Sequence, residues 1–172
     1  MSRAFVREPD GDTPPEPPAE TPVSPHRNLV TPRGLTLLQA ELERLDAVLA
    51  RPEADDSAER ARVARDRRYI ARRLASAEPV APHGEGDHDP TVTFGCAVTL
   101  VLSGGRRVTW RIVGEDEADP SHGRIAWTSP VAGLLIGLGV GDEVVLPAGA
   151  AEVAAIDTAA EQLPEPSTGD LA

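Results

Sequence analysis

The sequence contains no lysine, one cysteine and only five aromatic residues other than histidine. Its 17 basic side chains are all arginine and face 28 acidic ones, so the net charge of −11 argues against a protein that binds bare duplex DNA. The single cysteine, Cys96, excludes an internal disulfide and any multi-thiolate metal site. No stretch approaches the roughly 20 apolar residues of a membrane helix, and residues 1–7 lack an apolar signal core. We therefore expect a cytoplasmic protein without membrane contact.

Proline and acidic residues mark the boundaries within the chain. Residues 1–31 and 157–172 combine prolines with acidic and small residues, a composition that buries too little apolar surface to offset the entropy of ordering. They predict a disordered leader and a disordered tail. Residues 79–90, rich in proline, glycine and acids, predict a linker between a helical segment, residues 32–78, and a strand-rich segment, residues 91–156.

Residues 32–78 have the pattern of two helices. Thr31 suits a helix cap, Pro32 suits the first helical position, and five leucines follow at spacings of three and four. Pro52 ends this helix, and residues 57–77, which lack glycine and proline, predict a second one. Since the two helices share a narrow apolar stripe, we predict an antiparallel coiled-coil arm, roughly 28 Å long at 1.5 Å per residue.

After the linker, the period of the apolar residues changes to two. Strands are predicted over 92–102, 107–112, 125–127, 144–146 and 153–156, with a tight turn at 103–105 and an acidic loop at 114–123. Ser129 and Pro130 predict the start of a helix that runs to residue 138. The predicted class is α+β, a short antiparallel helical hairpin followed by a small antiparallel sheet domain with one helix. Cys96 is expected to be a small buried residue.

Several runs in the sheet segment resemble the carboxy-terminal domain of the Gre transcription elongation and transcript-cleavage factors. They are IVGEDEADP at 112–120, GRI at 123–125, TSP at 128–130 and VGD at 140–142. The run VTPRGL at 30–35 and the order of hairpin and sheet are similar too, so the resemblance covers roughly residues 30–156. It implies an amino-terminal coiled coil followed by a domain similar to the FK506-binding fold.

The resemblance also implies a partner. In this family the globular domain docks on bacterial RNA polymerase at the rim of the secondary channel, and the coiled coil enters the channel. There, two acidic tip residues help to hold a magnesium ion for cleavage of backtracked RNA by the polymerase. The implied factor is a monomer, carries no cofactor and is not itself an enzyme.

Six residues match the docking region of the family: Glu115, Asp116, Glu117, Thr128, Ser129 and Pro130. A capped helix start beside an exposed acidic loop presents directed hydrogen-bonding groups, and such electrostatic complementarity gives interfaces their specificity. The alternative is that Ser129 and Pro130 only start a helix and that the loop is solvated.

The predicted arm is shorter than a full Gre arm, and its tip keeps only Asp55, Asp56 and Glu59 of the acidic run. Asp56 and Glu59, three residues apart, would share a magnesium ion with the polymerase only if the tip reaches it, so no stably bound metal is expected. The alternative is a helix start, which favours acidic residues in its first turn.

Arginines crowd onto the second predicted helix. Among them, Arg60, Arg67 and Arg68 are candidates for contact with nascent RNA or with acidic parts of the polymerase, because arginine binds phosphate and carboxylate groups in a bidentate manner. The alternative is a solvated helix face with local ion pairs.

The short arm is also similar to that of the Gre-related regulators of nucleoside diphosphate kinase. We therefore predict an elongation regulator that binds polymerase and inserts a short arm. Two alternatives stay open: a cleavage-stimulating factor that uses Asp56 and Glu59, and a prolyl isomerase of the FK506-binding type. The isomerase would need an aromatic pocket, and the sheet segment has only Phe94, Trp110 and Trp127.

Overall fold

The computed structural model describes residues 19–51, 57–81, 91–159 and 161. The arm consists of two 19-residue helices, α1 (Pro32–Ala50) and α2 (Ser57–Ala75), which pack along each other. Thr31 caps α1, since its hydroxyl accepts a hydrogen bond of 2.9 Å from the backbone N–H of Gly34. Leu38 and Leu45 of the predicted leucine stripe are buried. Both predicted helices are confirmed.

A short pairing ties the two ends of the arm together. Strand β1 (Leu29–Val30) runs parallel to strand β2 (Glu78–Pro79), and Val30 is buried. The prediction that all of residues 1–31 form a disordered leader is therefore wrong for residues 28–31, and the predicted linker includes one strand residue, Pro79. A two-residue pairing has no sequence period that could have revealed it. Residues 1–18 and 82–90 lie outside the described residues.

Five strands form the main sheet: β3 (Ala97–Leu102), β4 (Arg107–Val113), β5 (Arg124–Ala126), β6 (Glu143–Leu146) and β7 (Gly149–Asp157). Their order is β5-β4-β3-β7-β6. All neighbours are antiparallel except β4 and β5, which run parallel. The predicted α+β class is confirmed, but the sheet is mixed rather than antiparallel. The reason is that the connection between β4 and β5, with 3₁₀ turns at Glu115–Glu117 and Pro120–His122, returns the chain to the same end of the sheet.

One helix, α3 (Pro130–Leu135), packs with the sheet around the hydrophobic core. It ends three residues before the predicted position. Residues 137 and 138 instead form backbone hydrogen bonds of 2.8 Å with Val92. Val92 therefore lies outside the strand predicted over 92–102, which begins at Ala97. Cys96 is fully buried. Buried core residues are Val92, Val98, Leu100, Ile112, Ile125, Ala132, Leu135, Val144, Leu146, Ala151 and Val153.

The carboxyl-terminal boundary also differs from the prediction. Strand β7 extends to Asp157, and Glu161 forms ion pairs with the sheet, so the first residues of the predicted tail belong to the fold. Residues 162–172 lie outside the described residues. Neither α1, α2 nor α3 is long and apolar enough to cross a membrane.

Candidate functional site

Polar burial in this protein is concentrated where the base of the arm meets the sheet. In the described part of the chain, the buried polar or charged residues are Asn28, Thr31, Arg73 and Glu117. We call this contact region the junction, formed by residues 24–34 and 69–78 on the arm side and by residues 111–128 and 161 on the sheet side. Since burial of polar groups is unfavourable unless hydrogen bonds compensate it, the contacts in the junction are decisive for how the arm is held.

Arg73 is the centre of the first group of contacts. Its side chain is only 1% exposed, and its Nε donates a hydrogen bond of 2.5 Å to Asp116 Oδ2. Its Nη2 lies 3.3 Å from Glu115 Oε2. Asn28 Nδ2 donates to the backbone carbonyl of Arg73 at 2.6 Å. One buried cation of the arm thus binds two carboxylates of the sheet domain.

Tyr69 contributes to the same group. Its hydroxyl donates a hydrogen bond of 2.7 Å to Asp116 Oδ1. Burial of the phenol, followed by the hydrogen bond and the negative charge of Asp116, raises the pKa of Tyr69 to about 12. The phenol is therefore a sensitive reporter of this contact.

Glu117 is the centre of the second group. Its carboxylate accepts hydrogen bonds from the Thr31 hydroxyl at 2.5 Å and from Arg33 Nη1 at 3.0 Å, and Arg124 Nη1 lies 3.4 Å away. The same Thr31 hydroxyl caps α1, so Glu117 is linked directly to the start of the arm. A Cβ atom at Gly34 would lie 2.7 Å from Glu117 Oε2, which explains a glycine inside the first turn of a helix.

The predicted acidic docking loop is therefore not a free surface. Asp116 and Glu117 have side chains that are 14% and 3% exposed, and both bind arginines inside the molecule. The expectation of free acidic groups is wrong for the carboxylates of Asp116 and Glu117, although Asp116 as a whole residue is exposed. Contact of this loop with a partner stays a prediction. Composition alone misled because the partners, above all Arg73, are distant in the sequence.

Thr128, Ser129 and Pro130 lie beside this acidic turn but in a different environment. Thr128 donates a hydrogen bond of 3.1 Å to Glu115, and Ser129 accepts one of 3.2 Å from the backbone N–H of Ala132. Pro130 is exposed at the start of α3. Large apolar side chains follow it at the surface: Leu134 (45% exposed), Ile136 (41%) and Val140 (51%). We call residues 128–130 together with these three side chains the α3 face; the sequence analysis did not single out the apolar part.

The leader contacts the same region. Ser24 donates a hydrogen bond of 2.9 Å to Glu115, which also binds Thr128. The ring of His26 meets Trp127 edge to face, with 6.2 Å between ring centroids. The described part of the leader therefore packs beside the α3 face.

The arginines predicted to contact RNA or polymerase already have partners within the chain. Arg60 donates to the carbonyl oxygens of Leu49 and Arg51, at 2.7 and 3.2 Å, and so caps the end of α1. Arg67 pairs with Asp46 on α1, and Arg68 pairs with Glu20 of the leader. These contacts agree with the alternative of a solvent-facing helix with local ion pairs, and contact of the three arginines with RNA or polymerase stays a prediction.

At the arm tip, Asp55 and Asp56 lie outside the described residues. Glu59 lies in the first turn of α2 and is exposed. Among the residues that the structure describes, no cluster of three or more histidine, cysteine or acidic side chains could hold a metal ion. Phe94, Trp110 and Trp127 all pack against the hydrophobic core. Because these side chains pack in the sheet domain rather than line an open aromatic pocket, the isomerase alternative gains no support.

A cleft of about 480 Å³ opens between the start of α1 and the connection from β4 to β5. Arg33 and Leu37 line one side, and Arg124 and His122 line the other. Nearby, hydrogen bonds from Ser121 and then His122 lower the pKa of Asp119 to about 2. Arg33 and Arg124 thus border both the junction and an open space.

Known proteins match most of the chain. The family model described as "Transcription elongation factor, GreA/GreB, C-term" matches residues 87–158. Transcription elongation factor GreA of Ralstonia nicotianae is 35% identical over 145 residues, which cover 72% of this chain and 91% of that protein. GreB of Neisseria meningitidis serogroup A is 43% identical over 79 residues, 46% of this chain and 48% of that protein.

Among solved structures, the GreA factor homolog 1 (Gfh1) of Thermus thermophilus matches with 24% identity and a TM-score of 0.36, covering 76% of this chain and 99% of that one. The sequence relationship with the Ralstonia GreA extends along nearly the whole length of that protein. The chain belongs to the GreA/GreB family of transcription elongation factors.

Proposed function

We propose that this protein binds bacterial RNA polymerase at the rim of the secondary channel and modulates elongation with its short arm, without stimulating RNA cleavage. Family membership establishes a transcription elongation factor. The contacts of the junction and the length of the arm support the more specific role.

Docking is assigned to the α3 face. Ser129 fixes the start of α3 through its cap, which holds the neighbouring Thr128 and Pro130 in a defined geometry. Leu134, Ile136 and Val140 are exposed apolar side chains beside this helix start, and a partner that covers them would gain from their burial. In this proposal Glu115, Asp116 and Glu117 act indirectly, because they hold the arm rather than the polymerase.

The observation that carries the proposal is the binding of Arg73 by Glu115 and Asp116. It couples the arm to the domain that docks, so that docking also sets the direction of the arm. The second group, centred on Glu117, adds a contact to the start of α1. Because the sheet domain contacts both α1 and α2, the arm would enter the channel in a fixed orientation.

Arm length argues against cleavage. Each arm helix has 19 residues, roughly 28 Å at 1.5 Å per residue. The alignment with the Ralstonia GreA counts 145 positions, whereas 72% of 172 residues is about 124, so about 20 positions of that GreA have no counterpart in this chain; we infer that they belong to the arm. A tip that stops short of the polymerase metal cannot ligate it, whatever its charge.

The proposal is tested on halted elongation complexes with backtracked RNA. We expect the protein to bind these complexes without inducing RNA cleavage. It should also change pausing or reduce the RNA cleavage that added GreA stimulates. Ser129→Asp should abolish binding, because aspartate preserves the helix cap but adds a charge to the α3 face. Val145→Asp, which adds the same charge at a 77% exposed position on β6, is the matched control. Cleavage that disappears in an Asp56→Ala, Glu59→Ala variant would contradict the modulator and establish the cleavage-factor alternative.

A further inference from the structure

Three arginines from separate elements surround one carboxylate of the carboxyl-terminal tail. Arg33 belongs to α1, Arg111 to β4 and Arg124 to β5. Their side chains are only 21%, 16% and 15% exposed. Glu161, four residues beyond the end of β7, places its carboxylate among them.

Arg124 provides the strongest contact with this carboxylate. It binds Glu161 in a bidentate fork, with Nη1 at 2.6 Å from Oε2 and Nη2 on Oε1. Arg111 Nε lies 3.7 Å from Oε2, and Arg33 Nε lies 3.9 Å from Oε1. This arrangement of planar donors around two oxygens is the one that proteins use for carboxylate and phosphate groups.

The direct ion pairs of the three arginines leave a place for one further anionic group. Apart from Glu161, the acidic groups in direct ion pairs with them are Glu117, on Arg33 and Arg124, and Asp157, on Arg111. Asp116 and Asp119 also line the cleft, but Asp116 binds Arg73 and Asp119 binds Ser121 and His122. The fork of Arg124 is therefore left to Glu161.

We propose that Arg33, Arg111 and Arg124 form an oxyanion-binding site whose resident ligand is Glu161, so that the tail and an external phosphate group exclude each other there. The cleft beside Arg33 and Arg124 gives such a group a path from solvent. Because Arg33 lies on the arm and the other two arginines lie on the sheet, the occupied site also fastens the arm to the sheet.

A tethered carboxylate competes at an effective concentration of order millimolar, so removing it should raise the affinity for an external anion. We expect Glu161→Gln to bind inorganic phosphate at least about tenfold more tightly than the wild-type chain, by calorimetry at constant ionic strength. Adding Arg124→Gln, or Arg111→Gln if the former fails to fold, should remove the gain.

Hydrogen exchange of a peptide covering residues 30–38 provides the second readout. Exchange there should become faster in Glu161→Gln, and saturating phosphate should restore the protection, because phosphate replaces the missing carboxylate between arm and sheet. Equal phosphate affinity of wild type and Glu161→Gln would overturn the proposal. So would a gain that survives the loss of Arg124 and Arg111, or a loss of protection that phosphate does not restore.

Discussion

The acidic turn at residues 115–117 and the α3 face lie side by side, yet their side chains are used in opposite ways. The acidic turn looks like a surface in the sequence, but Asp116 and Glu117 are bound by Arg73, Arg33 and Arg124. The α3 face contains apolar residues that would suit a core, but Leu134, Ile136 and Val140 are exposed. The acidic residues, which the sequence suggests as partner contacts, bind arginines inside the molecule. The apolar residues of the α3 face remain exposed to a partner.

This contrast teaches that charge is not a sufficient guide to a docking surface. A carboxylate beside a buried arginine is already paired, and its interactions stabilise the attachment of the arm. An exposed leucine, by contrast, stabilises a complex only when a partner covers it. The two neighbouring segments should therefore respond in opposite ways to substitution: the acidic turn through stability, the α3 face through binding.

The largest loss of stability is expected at Arg73. Arg73→Met leaves Glu115 and Asp116 without their cation, and removing one partner of a buried ion pair costs about 3 kcal/mol. Urea unfolding followed by circular dichroism measures the change. Arg72→Met, on the neighbouring exposed arginine, is the matched control and should change the free energy of unfolding by less than about 0.5 kcal/mol. Equal effects of the two variants would refute the role of the junction.

A smaller loss is expected at Glu117. Glu117→Gln removes the charge that binds Arg33 and Arg124 but keeps the shape of the side chain, so we expect a cost of about 2 kcal/mol. Glu143→Gln, on the exposed side of β6, should be nearly neutral in the same urea experiment. A Glu117→Gln protein as stable as wild type would mean that this carboxylate does not hold the arm.

The helix cap of α3 should contribute less again. Ser129→Ala removes the acceptor for the backbone N–H of Ala132, and loss of such a cap costs about 1 kcal/mol. Thermal unfolding measures it. Ser129→Asp retains a capping acceptor and should have nearly the stability of the wild type. A loss of polymerase binding in this stable variant would separate the proposed docking role of Ser129 from its structural role.

The smallest change is spectroscopic. Tyr69 is the only tyrosine, so ultraviolet titration of tyrosinate reports it alone. The folded protein should titrate near pH 12, and Asp116→Asn should lower the midpoint because it removes the negative charge beside the phenol. Since the folded state favours the neutral phenol, this contribution to stability is complete below about pH 10 and is lost as the pH rises towards 12. A midpoint near 10 in the folded wild type would contradict the contact.

Local patterns predicted much of this fold. The cap at Thr31, the leucine spacing and Pro52 predicted α1 correctly, and alternation predicted the hairpin of β3 and β4. The parallel pairing of β4 with β5 was missed, because it depends on how the connection folds rather than on the strands themselves. Burial of residues 28–31 was missed for a similar reason, since it arises from contact with residues more than 40 positions away.

The candidate site was less predictable than the fold. Nothing in the acidic run indicates that Arg73 will bind it, because that contact joins residues 42 and 43 positions apart. Two signals were present. Arg73 adjoins Leu74 and lies three residues after Ile70, on the apolar side of α2, where a charge requires a partner. Gly34, in the first turn of α1, marked a close approach to Glu117.

The most direct test of the contrast is the affinity for RNA polymerase of two variants, Leu134→Asp and Glu115→Gln. Leu134→Asp should weaken binding at least about tenfold, because it places a charge in the proposed interface. Val145→Asp, at an apolar position that is 77% exposed on β6, should bind like wild type. Glu115→Gln should retain binding, because the amide oxygen of glutamine can still accept from Thr128 and Ser24 while only the charge that Arg73 binds is lost. Loss of binding in Glu115→Gln with full binding in Leu134→Asp would contradict the account.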